Sequence, residues 1–168
     1  KWTVSFVLGT ILIMISVSTI NYLVNPYNVF GHGFDSFVSR KTNPLSDRMS
    51  KFYVANRLKP ATIMMGTSRI GLFKEAQLSP YCEGPIYNAS LAGSTIDEQA
   101  AYIRYMVERG YVKNVVWSLD FFAFIPTKPL DPTFEPLRLS DSPYPNDYFI
   151  SLFSFKTLSR SFKTVKKN

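Results

Sequence analysis

The sequence contains one cysteine and one histidine among its 168 residues, Cys82 and His32. A lone cysteine excludes a disulfide within the chain and a cysteine-rich zinc site. The histidine lies far from that cysteine and the acidic residues are scattered, so we predict no metal centre. No Gly-x-Gly-x-x-Gly or Walker-type loop is present, and we therefore predict no cofactor.

Charged residues are missing from the N-terminal segment. No Asp, Glu, Lys or Arg occurs between Lys1 and Asp35, and residues Trp2 to Val24 read WTVSFVLGTILIMISVSTINYLV. About 20 apolar residues are enough to cross the bilayer core as a helix. Tyr22, like Trp2, lies near an end of the segment, where amphipathic rings favour the headgroup region. The segment therefore predicts a transmembrane anchor over residues 2–24.

Two other interpretations of this segment are open. A buried core helix of this length usually has a polar face, and this segment has none. A cleaved signal peptide would use Phe6 to Ile15 as its apolar region, with Ser16 and Ser18 before the cut. The apolar character resumes through Val24, which favours the uncleaved anchor.

Charge alone does not settle on which side of the membrane the rest of the chain lies. The positive-inside rule, applied to the residues after the anchor, would put the C-terminal side in the cytoplasm. The chain opens on Lys1 rather than methionine, so basic residues upstream are expected to be missing from this count. The basic residues after the anchor are Arg40, Lys41, Arg48, Lys51, Arg57 and Lys59, and the acids that dilute them are Asp35 and Asp47.

The remaining composition is that of a folded domain with a basic end. The chain is 46% hydrophobic and 15% aromatic, which excludes disorder along its whole length. The net charge is +7, but Lys1 and the basic residues after Ser154 leave only about one positive charge for the rest. We interpret the basic end as a solvated helix end, with acidic lipid as the alternative partner, and expect no nucleic acid. The basic residues after Ser154 are Lys156, Arg160, Lys163, Lys166 and Lys167.

Residues 60–168 alternate between strand and helix patterns, after a connector over residues 25–59 that contains a short helix from Asp47 to Leu58. The predicted strands are Ala61–Gly66, Ile86–Ser90 and Asn114–Asp120, and helical patterns over 69–78 and 94–109 lie between them. This alternation is typical of a parallel sheet whose strands are buried on both faces. We predict an α/β fold, a three-layer flavodoxin-like parallel sheet that is incomplete, preceded by one transmembrane helix.

The helix over 94–109 and a last helix after the sheet have more detailed signals. Thr95 and Glu98 form a capping box, and Gly110 is a C-cap. A proline-rich excursion follows the third strand, and a single amphipathic helix is predicted from Asp147 to Lys166. Apolar positions repeat at helical spacing at Ile96, Ala100, Ile103 and Val107, and in the last helix at Phe149, Leu152, Phe153, Leu158, Phe162 and Val165.

Ligand sites of open parallel sheets lie beyond the carboxyl ends of the strands. Those ends carry Gly66-Thr67-Ser68-Arg69, the segment from Asn88 to Gly93, and Asp120. A serine between a buried strand and a helix has an exposed hydroxyl, and the helix N-terminus offers N–H groups to an oxyanion. Ser68 is therefore a candidate nucleophile, with an N-cap as the alternative. Arg69 and Asp120 are expected to pair with each other or to bind a polar substrate.

The segments GTSR (66–69), YNASLAGST (87–95) and VVWSLD (115–120) resemble the SGNH/GDSL hydrolase superfamily, in particular its membrane-anchored bacterial branch. The resemblance covers the first two sequence blocks. It implies that Ser68 is the nucleophile, that the N–H groups of Ser68 and Gly93 are oxyanion donors, and that Asn88 shapes the turn presenting Gly93. The asparagine of the third block is missing, because Asp120-Phe121-Phe122-Ala123 stands there, and the final Asp-x-x-His is absent.

The resemblance implies an esterase or O-acyltransferase-related protein that acts on acylated cell-envelope polysaccharides. It would sit in the bacterial inner membrane as a single-pass protein with its globular part on the periplasmic side, and its partners would be the lipid bilayer, glycan and envelope assembly proteins. His32 is expected in a loop rather than in a triad. We therefore expect an Asp/His pair beyond Asn168 and no activity of these 168 residues alone. The alternative is a non-catalytic scaffold or assembly module of the envelope.

Overall fold

The computed structural model describes residues 1–31, 48–140 and 144–166. The chain divides into two compact units. The first unit combines residues 1–42 with residues 144–168, and the second comprises residues 43–143. His32 and Asp47, which the sequence places in the connector, lie outside the described residues.

The second unit contains a three-stranded parallel sheet. Its strands are β1 (Thr62–Met65), β2 (Ile86–Asn88) and β3 (Asn114–Trp117), in the order β2-β1-β3. Ile63 is opposite Tyr87 on one side and Val115 on the other. The α/β prediction is confirmed at this level, and each strand is shorter than its apolar run. The three-layer flavodoxin-like arrangement stays a prediction.

Two helices, α2 (Arg48–Leu58) and α3 (Ile96–Glu108), accompany the sheet. Ile63 and Met65 project to the same face of β1, since side chains alternate along a strand, and pack in a core with residues of both helices. Every residue of the central strand β1 is buried. The expectation that every strand is buried on both faces is wrong for β3, which is an edge strand with mostly exposed residues. The core consists of Phe52, Ala55, Ile63, Met65, Ala89, Leu91, Tyr102, Tyr105, Met106 and Val112.

The bounds of α3 agree with the sequence, but its buried face does not. Only the Thr95 half of the predicted capping box is formed, because the Glu98 carboxylate binds Arg48 and the Asp131 N–H instead. Thr95 Oγ1 accepts a hydrogen bond from the Glu98 N–H at 3.3 Å, and Gly110 follows the helix with φ +77°. The predicted apolar row is only partly covered, and Val107 is 45% exposed. Polar and aromatic side chains are buried instead because they have partners inside the unit. These buried residues are Glu98, Gln99, Tyr102, Tyr105 and Met106.

The predicted helix over residues 69–78 is wrong. Two short 3₁₀ turns, Ile70–Leu72 and Glu75–Gln77, occupy this segment, and Phe73 between them is extended. The Asn88 Nδ2 group donates to the carbonyl oxygens of Ile70 and Phe73, each at 2.9 Å. A side chain from β2 thus binds carbonyls that a continuous α-helix would have used for its own ladder.

The first unit is built on α1 (Trp2–Val24), which ends at Asn25 with φ 46°. Among the described residues, α1 is a helix that by length and composition is long and apolar enough to cross a membrane. Most of its surface is uncovered by protein, and only Val17 and Asn21 are buried. Two further helices, α4 (Pro145–Phe153) and α5 (Phe155–Lys166), pack against it.

The prediction of a single last helix from Asp147 to Lys166 is wrong. Ser154, with ψ 130°, interrupts it and separates α4 from α5. Several large apolar side chains of this region are exposed, among them Phe149 and Phe162, whereas Leu152, Phe153 and Leu158 are partly buried. Small or polar side chains face the interior because α1 presents a polar group there, the amide of Asn21. The buried residues of α4 and α5 are Asp147, Ser151, Thr157, Ser161 and Thr164.

Candidate functional site at the carboxyl ends of the strands

Gly66 fixes the turn that follows the central strand. Its φ is +151°, and a Cβ there would lie 2.8 Å from the Ser118 carbonyl oxygen and 3.0 Å from Ile70 Cγ2. Only glycine fits such a close approach of two chain segments. Gly66 O accepts from the Leu91 N–H at 2.9 Å, and Ser118 N–H donates to Met65 O at 2.8 Å. Backbone hydrogen bonds therefore join the segments that leave all three strands.

Asp120 joins the end of β3 to the turn after β1. The Thr67 hydroxyl donates to Asp120 Oδ2, and the Arg69 guanidinium lies 3.2 Å from Oδ1. Asp120 is buried, whereas Arg69 is 69% exposed and extends over the Phe122 ring at 5.9 Å. The pair expected from the sequence is therefore formed. Both oxygens of this buried carboxylate have a partner, as the burial of a charge requires.

Ser68 lies between the two residues that hold Asp120. It is exposed, and its side chain has no hydrogen-bond partner within the part of the chain that the structure describes. No α-helix starts at this turn, since Ile70–Leu72 is a 3₁₀ turn. The expected helix N-terminus is thus absent from this position, and so is the N-cap role of Ser68. What remains of the prediction is an accessible hydroxyl on a rigid turn.

Asn88 and Gly93 occupy the second strand-end segment. Asn88 is buried, and its Oδ1 accepts from the Ser90 N–H at 3.1 Å while its Nδ2 holds the segment after Ser68. Asn88 therefore shapes the turns after both β1 and β2. Gly93 is exposed with φ +64°, and a Cβ there would meet open space. The role of its N–H as an oxyanion donor stays a prediction.

Lys51 is a buried cation beside this edge that the sequence analysis did not single out. Its Nζ donates to the Asn88 carbonyl oxygen and lies 5.3 Å from the centre of the Tyr87 ring. Burial lowers the pKa of Lys51 to about 8, although Glu75 acts in the opposite direction. Burial also raises the pKa of Tyr87. The sequence signal for this burial is the i,i+4 spacing of Lys51 and Ala55, which places both on one face of α2.

A buried ion-pair network was also missed by the sequence analysis. Arg48 Nε lies 2.8 Å from Glu98 Oε2, and Arg48 Nη1 lies 3.1 Å from Asp131 Oδ2. The Asp131 N–H donates to Glu98 Oε1 at 2.6 Å. These contacts tie α2, α3 and the proline-rich segment together. They join residues 33 to 83 positions apart, a range at which no sequence spacing indicates contact.

A shallow polar cleft lies away from the strand-end edge. It is lined by Asn56, Lys59, Arg109, Gly110 and Tyr111, which precede β1 and β3 or belong to α2. Burial raises the pKa of Tyr111 to about 12. Ligand sites of parallel sheets are found at the carboxyl ends of strands, so the edge around Ser68 remains the better candidate.

Comparisons with family models, with curated proteins and with solved structures found no match for this chain. Within the described residues, no three His, Cys, Asp or Glu side chains are grouped so that they could hold a metal ion. The resemblance to SGNH hydrolases therefore depends on the residues of the strand-end segments themselves.

Proposed function

We propose that this chain belongs to a membrane-anchored, SGNH-like esterase or O-acyltransferase that acts on acylated glycans of the bacterial cell envelope. The observation that carries the proposal is the exposed Ser68 on a tightly packed turn after the central strand. Gly66 makes this turn possible, and Thr67 and Arg69 fix it to Asp120 on both sides of the serine. The apolar surface of α1 supports the anchor, for which we propose a single pass through the inner membrane with the globular part in the periplasm.

In the proposed reaction, Ser68 Oγ attacks the acyl carbonyl and forms an acyl-enzyme. A general base takes the hydroxyl proton, and the N–H groups of Ser68 and Gly93 stabilise the oxyanion. The ester bond to the sugar oxygen breaks, and the glycan hydroxyl leaves with the proton that the base took from Ser68. Water in an esterase, or an acceptor hydroxyl in a transferase, then removes the acyl group and restores Ser68. Arg69, largely exposed at the same edge, would bind polar groups of the glycan. The resemblance implies a histidine, oriented by a carboxylate, as the base, and the Asp-x-x-His of the superfamily does not occur in this sequence. The proposal therefore assigns this pair to sequence outside the 168 residues.

Ser68→Ala in the full-length protein tests the proposed nucleophile. We expect hydrolysis of p-nitrophenyl acetate and of acetylated glycans to fall by about 10³-fold or more, because the acyl-enzyme cannot form. A serine-directed fluorophosphonate probe should label the native protein and not this variant. Ser79→Ala is the matched control, since Ser79 is also exposed and hydrogen-bonds only within its own turn. Undiminished activity of Ser68→Ala would rule the mechanism out.

A non-catalytic scaffold of the envelope is the second candidate. It is favoured by Asp120, whose two carboxylate oxygens are occupied by Thr67 and Arg69 and are not directed to a base. The absence of the third-block asparagine, an oxyanion donor in the superfamily, also favours a scaffold. For a scaffold, the fluorophosphonate probe should leave the full-length protein unlabelled, and cross-linking in intact cells should recover envelope assembly proteins equally well with Ser68→Ala.

A further inference from the structure

Helix α5 has three different faces, and only one of them is covered by its own unit. Thr157, Ser161 and Thr164 follow one another at helical spacing and are buried. Ser161 Oγ donates to Asn21 Oδ1 of α1 at 3.0 Å, and Thr157 Oγ1 donates to the Ile150 carbonyl oxygen of α4 at 2.9 Å. This face fixes the orientation of α5 around its axis.

The second face of α5 is apolar and exposed. Phe155 is 71% exposed and Phe162 is 58% exposed, and Val165 lies on the same side of the helix. Leu158, which is partly buried, completes the row. A contiguous apolar surface of this kind is rare on a protein in water and marks a site of interaction with another protein or a membrane.

The third face of α5 is basic. Lys156, Lys163 and Lys166 are exposed, and none of them forms an ion pair with a residue in the described ranges. Arg160 lies on the same side and stacks over the Tyr27 ring at 5.1 Å. Within the described residues of α5 there is no acidic side chain to balance these cations. An apolar face beside a basic face is the pattern of a helix that lies in the surface of an anionic bilayer.

The position of α5 on α1 indicates which surface it meets. The contact is made through Asn21, in the last turn of α1. If α1 spans a bilayer, its last turn lies near the headgroup region, so α5 is held at that depth. The exposed apolar side chains of α1 and those of α5 would then both have lipid as their surroundings.

We propose that α5 lies in the interface of the membrane that α1 crosses, with Phe155, Phe162 and Val165 inserted below the headgroups of anionic phospholipids. Lys156, Lys163 and Lys166 contact those headgroups. The inference rests on the proposed anchoring role of α1 and adds a second, charge-dependent attachment. It also explains why the buried side of α5 is polar and the exposed side apolar.

Nitroxide labels on the full chain test this proposal. Cys82→Ser provides a background without native thiols, and Phe162→Cys places a label on the apolar face of α5. Ile11→Cys reports on α1, and Ser79→Cys is the exposed reference. The chain is reconstituted into vesicles of phosphatidylcholine, alone or mixed with phosphatidylglycerol. Collisions with oxygen, which concentrates in the bilayer, are compared with collisions with a water-soluble nickel chelate.

We expect the oxygen-to-nickel collision ratio at residue 162 to be several-fold higher than at residue 79. In vesicles with phosphatidylglycerol, the three lysines are replaced by glutamine. The equilibrium ratio of inserted to released α5 should then fall by about fivefold per lysine. The corresponding arginine triple variant keeps the charge and should behave like the native chain.

Three results would overturn the proposal. A label at residue 162 that nickel reaches as easily as residue 79 would show that α5 faces water. A label that neither reagent reaches would show that protein, a second copy or a partner, covers this face. Equal insertion of the glutamine and arginine variants would exclude the role of anionic lipid. If residue 11 is also accessible to nickel, the anchor itself fails, and this result is distinct from failure at residue 162 alone.

Discussion

Asp120 and Gly66 are the two residues that determine the shape of the strand-end edge. Asp120 accepts from Thr67 and pairs with Arg69, so the residues on both sides of Ser68 are held by one buried carboxylate. Gly66 allows the Ser118 carbonyl to approach the turn more closely than any side chain would permit. The position of Ser68 is therefore fixed by the contacts of Thr67 and Arg69, and its own side chain needs no contact.

Gly66→Ala tests whether this turn depends on close packing. We expect the free energy of unfolding to fall by about 2 to 4 kcal/mol, because the new Cβ would meet the Ser118 carbonyl oxygen and the backbone would be strained. Gly93→Ala is the matched control. It has a positive φ but open space around the Cβ position, and should cost only about 1 to 2 kcal/mol. Denaturant unfolding of the protein in detergent measures both, and equal effects would contradict the packing argument.

At the scale of elements, the sequence predicts what depends on local chemistry. The cap at Thr95, the glycine after Arg109 and the apolar run of α1 are confirmed, because each signal lies within a few residues of its effect. The parallel sheet follows from the alternation of short apolar runs with helical patterns along the chain. The pair of Arg69 with Asp120 follows from the rule that the carboxyl ends of parallel strands lie at one edge of the sheet.

The failures have a common physical cause, which is a partner distant in sequence. The segment after Ser68 is not helical because Asn88, from β2, binds its carbonyls. Helix α5 buries its polar side because Asn21 of α1 faces it. Arg48 and Glu98 are both buried because each neutralises the other. Periodicity describes how an element would fold against an apolar core, and it does not include polar partners that come from a distant part of the chain.

The buried Lys51 gives a pH-dependent prediction for the attachment of α2 to the sheet. Its pKa is about 8 in the folded protein and 10.5 in the unfolded chain, since burial disfavours the ammonium ion. Between these values the unfolded chain binds more protons, so the stability of the native protein rises with pH. Lys51→Met lacks this dependence. The free energy of unfolding of the native protein, relative to that of Lys51→Met, should therefore rise by about 3 kcal/mol as the pH rises through this window.

Thermal or denaturant unfolding across this pH range measures the difference, and Lys113→Met, at an exposed position, is the control. Tyr87 and Tyr111 have raised pKa values in the folded protein but a pKa of 10.0 in the unfolded chain, so they lower the stability of both proteins as the pH rises past that value. They are present in both proteins and cancel in the comparison. A difference between native protein and Lys51→Met that stays constant with pH would show that Lys51 is not desolvated.

At the scale of the whole molecule, the first unit is assembled from both parts of the chain that flank the second. Helix α1 precedes the α/β unit and α4 and α5 follow it. The Asn21 Nδ2 group donates to the Leu152 carbonyl oxygen at 2.8 Å, and its Oδ1 accepts from Ser161. One amide in a helix without charged residues therefore joins segments more than 130 positions apart. Among apolar helices, such polar contacts with small neighbours are a principal source of specific association.

Asn21→Leu should loosen α4 and α5 from α1 while leaving α1 apolar. The Asn21 side chain loses its hydrogen bonds with Leu152 O, Ser154 O and Ser161 Oγ, so we expect a cost of about 1 to 3 kcal/mol for this contact. Amide hydrogen exchange of residues 155–166 in the full chain should accordingly accelerate by roughly 5- to 100-fold. Thr19→Leu, an exposed polar position of the same helix, should leave exchange unchanged. Equal protection in both variants would show that packing without Asn21 is enough to hold the C-terminal helices on α1.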